Sequence, residues 1–357
     1  MNNEKTEHPA HFANIQALRA VAVLLVLVLH TYAVEGKYFT KHAIPEVLGM
    51  YGGCGVDLFF VISGFVMTTI TRGQFGSGKM ALIFLQRRLL RIYPIYWFYS
   101  LIVLIVMLVM PQWVNSSQEN KIDALSSLLL LPTDALPLLI QGWTLTYEMF
   151  FYVVFAGLIA WLPERLFSVV LIAWSGLLCA FAYFLTWADY ASPVLDVISD
   201  PLVLEFIAGC FCALWWRRIH VRQAVMCIVV GILLLVVVSL AGGQIGLDTV
   251  IQWRTLSFGF PAFLFVIAAA SLEGRCRFTA PRLFCLLGDA SYSIYLSHVL
   301  TISAVGRLYQ RFAPAVLPSV CGTLLCIFIA LVAGYVSYKL IEQPVNLFLK
   351  RAASTTN

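Results

Sequence analysis

The sequence predicts an all-α, polytopic transmembrane helical bundle of about ten spans with both termini cytoplasmic. Three observations predict it. Of 357 residues, 61% are hydrophobic and 11% charged, whereas a soluble domain carries roughly a quarter charged residues. The mean hydropathy is +0.88. Apolar runs long enough to cross a bilayer as helices recur along the chain, and the bases between them fall in alternate loops.

Residues 1–14, MNNEKTEHPAHFAN, form a polar cytoplasmic tail; 15–345 form a single membrane domain; 346–357 form a second cytoplasmic tail. The spans are expected at 15–35, 53–71, 92–110, 143–162, 166–187, 201–216, 223–242, 250–271, 284–305 and 317–341. The first resembles a cleavable signal peptide, but the topology closes only if it is kept. The apolar run around Leu128 to Leu131 makes the start of the fourth uncertain, because it also suits a re-entrant or interfacial segment.

Lys and Arg concentrate in cytoplasmic loops, and their placement orients the set. The 72–91 stretch holds Arg72, Lys79, Arg87, Arg88 and Arg91 with no acid; 217–222 holds Arg217, Arg218 and Arg222; 273–282 sets Arg275, Arg277 and Arg282 against Glu273; Lys350 and Arg351 follow the last span. The alternate segments are acidic or mixed, with Glu119, Asp123 and Asp134 against Lys121, then Asp189, Asp196 and Asp200. Arg307 and Arg311 fall on the outer side and break the pattern. The net charge of +5 therefore points to topology and membrane lipid, and no nucleic-acid partner is expected. Nine cysteines lie scattered, with no CxxC pair and no metal-ligand spacing, so they are expected to pack and no metal is expected.

Span one, IQALRAVAVLLVLVLH, carries Arg19 and His30 eleven residues apart. On a helix they share a face about 16 Å apart along the axis. An ionisable group inside a membrane span costs free energy and marks a functional site by default; the competing reading is a histidine satisfied by a neighbouring helix or reaching the interface. The other buried polar groups sort into two layers. Asp57 in span two, Glu148 in span four with Tyr152 one turn below, Glu205 in span six and His298 in span nine join His30 in the outer layer. Arg19, with Arg88 and Arg91 on one helical face before Tyr93-Pro94, forms the inner layer. Guanidinium groups bind phosphates through paired hydrogen bonds, although topology and lipid headgroups also explain such bases.

The layers suggest a phosphate-bearing donor docked on arginines from the cytoplasm and an acceptor hydroxyl that meets a histidine base from outside. His30 is the expected base and Glu148 its expected partner; Asp57 and Glu205 are the weaker choices for partner, and either also suits pairing with an arginine or capping a helix.

At these residues the chain resembles the acyltransferase 3 family of bacterial integral-membrane acyltransferases. The resemblance rests on IQALRAVAVLLVLVLH, GVDLFFVISGF with Asp57 and Ser63, FLQRRLLRIYP with Arg88 and Arg91, GWTLTYEMFFY with Glu148, SYSIYLSH with Ser291 and His298, and IEQP with Glu342 and Pro344. It implies about ten helices in the bacterial inner membrane, acetyl-CoA as acyl donor, and a hydroxyl of an exported or lipid-linked glycan as acceptor. It further implies that His30 is catalytic, that Arg19, Arg88 and Arg91 serve the CoA end, and that polysaccharide biosynthesis machinery is a possible partner. Many members have Asp-Gly where this chain has Gln16-Ala17, and IQALRA with GWTLTYEMFFY is more like the branch associated with exopolysaccharide acetylation. Other members carry an extracytoplasmic hydrolase-like domain; here acyl delivery is expected to be direct or through a separate partner.

The expected function is thus O-acyl transfer with His30 as general base, Glu148 beside it, and Arg19, Arg88, Arg91, Asp57, Ser63, Tyr152 and His298 contacting substrates. Ser63, Tyr152 and Tyr292 are alternatives for the oxyanion donor, and an acyl-histidine intermediate is the second mechanism. A transporter or flippase for a lipid-linked sugar is the alternative function, though the inverted repeats and paired Gly/Pro-broken helices of many transporters are not found. The segment from Pro111 to Gln141 is the expected seat of acceptor specificity.

Overall fold

A computed structural model describes residues 12–114, 123–185, 192–245, 247–276, 278–312 and 318–354. Glu119, Lys121, Asp189 and Arg277 lie outside the described residues, as do the first eleven residues of the N-terminal tail and the side chains of Lys350 and Arg351.

Helix α1 (Ala13–Tyr38) has no cap of its own at Phe12. Its first two amides, on Ala13 and Asn14, donate instead to the Glu273 carboxylate at 2.8 and 2.7 Å. Asn14 completes the joint by donating to the carbonyls of Ala269 and Phe278 and accepting from Ala280 N. Glu273, expected in a basic loop, stands instead on the last turns of the helix Phe260–Cys276 and is a helix cap in trans, which satisfies orphan amides and meets the positive end of the dipole.

Helices α2 (Glu46–Tyr51) and α3 (Cys54–Ile70) form the second span. Helix α4 (Gly78–Val109) starts where the Ser77 side chain accepts from Met80 N, well before the expected start at residue 92. Arg87, Arg88 and Arg91 are consequently helical rather than in a loop, and the helix runs through Pro94. Tyr292 Oη donates to the Ile92 carbonyl at 2.9 Å, beside the ladder that proline interrupts.

The apolar run near Leu128 is the short helix α5 (Ala124–Leu129), capped by Asp123 and ended by Leu130 at φ 55°. Its terminal carbonyls do not go to water. Tyr96 Oη, Trp97 Nε1 and Tyr93 Oη of α4 donate to the carbonyls of Ser127, Leu128 and Leu129 at 2.7, 2.9 and 2.8 Å. Three aromatic donors thus satisfy a helix end that has no further turn.

The chain continues through α6 (Gly142–Trp161), α7 (Phe167–Leu185), α8 (Pro193–Ser199), α9 (Val203–Trp215), α10 (Val221–Ile245), α11 (Leu247–Gln252) and α12 (Phe260–Cys276). It ends with α13 (Arg282–Asp289), α14 (Ser291–Phe312), α15 (Ser319–Ser337) and α16 (Gln343–Ser354). No strand occurs among the described residues. Nine helical segments there are long and apolar enough to cross a membrane, and ten if α13 and α14, bent by 70°, make one span. This is the expected polytopic all-α bundle.

Two features position the site. Helices α3 and α9 cross backbone to backbone at Gly64 and Gly209, where a Cβ on either would run into the carbonyl of Phe206 or Val61. Around that crossing the Phe206 ring stacks between Phe60 and Phe151, with centroids 4.5 and 4.6 Å away, locking α3, α9 and α6 together. Helix α10 is the opposite case: Val225, Met226, Val229, Ile232, Leu233, Val236 and Val237 are all exposed, a wide apolar face suited to lipid.

Candidate active site

Arg19 of α1, Ser63 of α3, Arg88 and Arg91 of α4, and Glu148 and Tyr152 of α6 line one cavity of about 100 Å³, with Tyr292 and Tyr295 of α14. Four helices therefore deliver six of the nine expected site residues to one place, and α14 closes it with two tyrosines. Glu148 accepts hydrogen bonds from Ser63 Oγ at 3.1 Å and from Tyr152 Oη. Tyr152 sits one turn along the same face, the spacing at which side chains on a helix meet.

The expected pairing of Glu148 with His30 is not what the structure shows. His30 has a different partner, His298 of α14, with ring centroids 4.8 Å apart, rings nearly perpendicular and Nε2 of His298 3.3 Å from Nδ1 of His30. Glu148 is already satisfied by two hydroxyls within the arginine cavity. Neither histidine borders that cavity. Tyr295 stands between: it lines the cavity, its hydroxyl meets Thr144 Oγ1 at 2.8 Å, and its carbonyl faces His298 Nδ1 at 2.6 Å. The histidine pair thus lies one helical turn beyond the end of the cavity, about 4.5 Å along α14.

Arg88 is 9% exposed, with its guanidinium carbon 5.6 Å above the Phe84 ring and 5.8 Å above the Tyr152 ring. Its Nε is buried with no hydrogen-bond partner among the described residues. An unpaired donor on a buried permanent cation is costly, and an anionic ligand would remove that cost. Arg88 also borders a second, wider space of about 1240 Å³ at the end where α1 begins, shared with Arg72, Arg87, Arg217 and Arg275. The acid on that border, Glu273, is engaged in capping α1. Gln16 accepts from Arg19 Nη1 at 3.4 Å.

The three hydroxyls expected as oxyanion donors are each engaged: Ser63 and Tyr152 donate to Glu148, and Tyr292 to the Ile92 carbonyl. Asp57 stands outside the cavity, fully buried and gripped by Arg254 Nε and Nη2 at 2.8 and 2.9 Å. This is one of its expected alternatives, pairing with an arginine. Glu205, 1% exposed, packs on Gly259 in the π-helical turn that leads into α12. Sequence reasoning overlooked Arg254, although a lone arginine in the apolar run IQWRTLSFGF was a visible signal. Arg307, which had no explanation, lies 4.2 Å from the Trp113 ring centroid and 5.5 Å from that of Tyr38. A cation between two aromatic faces accounts for a base at that end.

Comparison with known proteins adds an independent line. Residues 12–338 match the acyltransferase 3 family model, described as an acyltransferase domain. The chain is 32% identical over 336 residues to the exopolysaccharide production protein ExoZ of Rhizobium meliloti, covering 89% of this chain and 94% of that one. It is 26% identical over 383 residues to the O-acetyltransferase OatA of Staphylococcus aureus, covering 96% of this chain and 58% of OatA. No solved structure matches. With the family model spanning all but the ends and five of the six motifs standing on the helices that build the cavity and the histidine pair, the chain belongs to the acyltransferase 3 family.

Proposed function

We propose that this protein is a multi-pass O-acyltransferase of the bacterial inner membrane that moves acetyl from cytoplasmic acetyl-CoA to a hydroxyl of an exported or lipid-linked polysaccharide. The similarity to ExoZ, named for exopolysaccharide production, and to OatA, named as an O-acetyltransferase, supports the acceptor and acyl class. The observation that carries the reading is Arg88, a buried cation with an unpartnered donor that borders both the basic vestibule and the arginine cavity. Arg72, Arg87, Arg217 and Arg275 offer charge to the nucleotide phosphates in the vestibule. Arg19, Arg88 and Arg91 then guide the pantetheine arm toward His30, and the roughly 16 Å from Arg19 to His30 along α1 suits its length.

His30 takes the proton from the acceptor hydroxyl as its oxygen attacks the thioester carbonyl. The carbon–sulfur bond breaks, and His30 returns the proton to the departing thiolate. A histidine base contributes typically 10²–10⁴ in rate. Glu148 neutralises part of the arginine charge and holds Ser63 and Tyr152; substrate entry that draws either hydroxyl off Glu148 frees a donor for the oxyanion. The thioester also has to pass Tyr295, so the Tyr295–Thr144 contact opens during the cycle.

The test is transfer of labelled acetyl from acetyl-CoA into envelope polysaccharide in membranes with matched amounts of wild type, His30→Ala or Arg88→Ala. Label in the wild type that is lost in His30→Ala, with the variant still folded, is the expected result. Wild-type membranes that move no more label than empty ones would overturn the reading and bring the transporter alternative forward.

A further inference from the structure

The contacts of the histidine pair specify where its protons are. His298 is fully buried, and its Nδ1 lies 2.6 Å from the Tyr295 carbonyl, which can only accept. That nitrogen therefore carries a hydrogen. A second proton on Nε2 would make an enclosed imidazolium, which needs a counter-charge to be tolerated. His298 offers its Nε2 lone pair to His30 instead.

His30 Nδ1 faces two acceptors, the Val26 carbonyl at 2.9 Å and His298 Nε2 at 3.3 Å. Both present lone pairs, so His30 Nδ1 is the N–H and His30 Nε2 is the nitrogen left unprotonated. Val26, four residues back on α1, sets this tautomer through the backbone, while His298 reaches it from α14 and restrains the ring.

We propose that His298 is a positioning residue: a neutral acceptor that orients His30 as its Nδ1–H tautomer and leaves Nε2 as the nitrogen that receives the acceptor's hydroxyl proton. This rests on the acyl-transfer reading above. As Nε2 takes that proton, His30 becomes an imidazolium whose Nδ1–H is shared by Val26 O and His298 Nε2; when the thiolate takes the proton back, His30 is neutral again. His298 neither gains nor loses a proton, because its own N–H ends on a carbonyl that cannot pass one on. The pair is therefore an orienting contact and not a two-histidine relay. A neutral partner stabilises the imidazolium less than a carboxylate would, which leaves His30 ready to give the proton back.

The full-length protein in lipid nanodiscs, with ¹⁵N,¹³C-labelled histidine, tests this by solid-state NMR; His30→Gln and His298→Gln assign the two residues among six histidines. Both rings are expected neutral with hydrogen on Nδ1. In labelled acetyl-CoA transfer to envelope polysaccharide, His298→Ala is expected to lower kcat about tenfold, because Val26 still holds the tautomer while ring restraint is lost. KM for acetyl-CoA is expected to be unchanged, and His298→Gln, whose amide oxygen can replace Nε2 as acceptor, to recover part of the rate. His30 found with hydrogen on Nε2, or kcat unaltered in His298→Ala, overturns the proposal. So does loss in His298→Ala with no recovery in a folded His298→Gln. A wild type with the expected tautomers that transfers no label instead overturns the acyl-transfer reading, which separates the two failures.

Discussion

Arg254 holds Asp57 through two nitrogens, Nε to Oδ1 at 2.8 Å and Nη2 to Oδ2 at 2.9 Å, joining the turn before α12 to the first turn of α3. A third bond, from Nη2 to the Gly53 carbonyl at 3.2 Å, reaches the residue just before α3. The carboxylate is fully buried and the arginine side chain 24% exposed. Such a pair contributes little beyond an apolar replacement, but removal of one member strands the other charge, at a cost of about 3–5 kcal/mol when both are enclosed. Asp57→Asn and Arg254→Gln are each expected to lose about 3 kcal/mol, at the low end because Arg254 keeps some solvent. The double variant is expected to lose much less than the sum. Thermal unfolding in detergent measures it, and strict additivity would show that the two groups are not coupled.

The α3–α9 crossing makes a second, purely steric prediction. Gly64→Ala places a methyl against the Phe206 carbonyl, and backbone cannot move aside as a side-chain tip can. Overpacking of this kind typically costs 1–3 kcal/mol, and here it also shifts Ser63 next to it on α3. Gly176→Ala, in α7 with nothing within 4 Å of the new methyl, is the matched control. It is expected to be neutral or stabilising by up to about 1 kcal/mol, since alanine is the better helix former. Equal melting temperatures for the two variants would mean that the crossing is looser than the backbone positions indicate.

The helices were legible in the sequence because a membrane imposes its own length scale, and charge between spans marks their ends. The start of α4 was not. Arg87, Arg88 and Arg91 fell before the expected span start, although Arg88 and Arg91 share a helical face, and a Ser77 cap followed by good helix formers extends the helix through them. Face was also legible, since 100° per residue fixes it on a single helix. What no periodicity encodes is which helices face one another. His30 and His298 are 268 positions apart, and Glu148, expected in the outer layer beside His30, lies instead with the inner-layer arginines. Packing chose Ser63 and the arginines for Glu148, through contacts between α3, α4 and α6 that no local pattern announces.

Glu148 accordingly separates two mechanisms. If it oriented His30, Glu148→Gln would upset the base and cost as much as a triad carboxylate, around 10⁴ in kcat. The structure has it accepting from Ser63 and Tyr152, which a glutamine oxygen can still do. Glu148→Gln is expected to lower kcat by less than about tenfold while it changes the affinity of the arginine cavity for anions, seen as a shifted KM for acetyl-CoA. Steady-state kinetics on reconstituted protein decide the point. A thousandfold fall in kcat at constant KM would reinstate Glu148 as the partner of His30.

Arg88 is the most demanding case, because a buried arginine packed beside two rings can serve the fold as well as a ligand. Its unpartnered Nε and its place on the border of both spaces favour the ligand. Charge-assisted bonds to a phosphate are worth about 1.5–3 kcal/mol each, so Arg88→Ala is expected to raise KM for acetyl-CoA between ten- and a hundredfold. Arg88→Lys keeps the charge but not the planar fork or the packing beside Phe84 and Tyr152, and is expected to recover little of that affinity. Arg87 is the internal comparison: it is exposed and borders the vestibule alone. Arg87→Ala is expected to raise KM only a few-fold, with the difference from wild type fading as salt is added, because exposed charges are screened and buried ones are not. Inhibition by free CoA should weaken in parallel with KM in both variants. An Arg88→Ala protein with normal KM and a lowered melting temperature would identify Arg88 as a structural cation, and the donor's phosphates would then have to be sought among the exposed vestibule arginines.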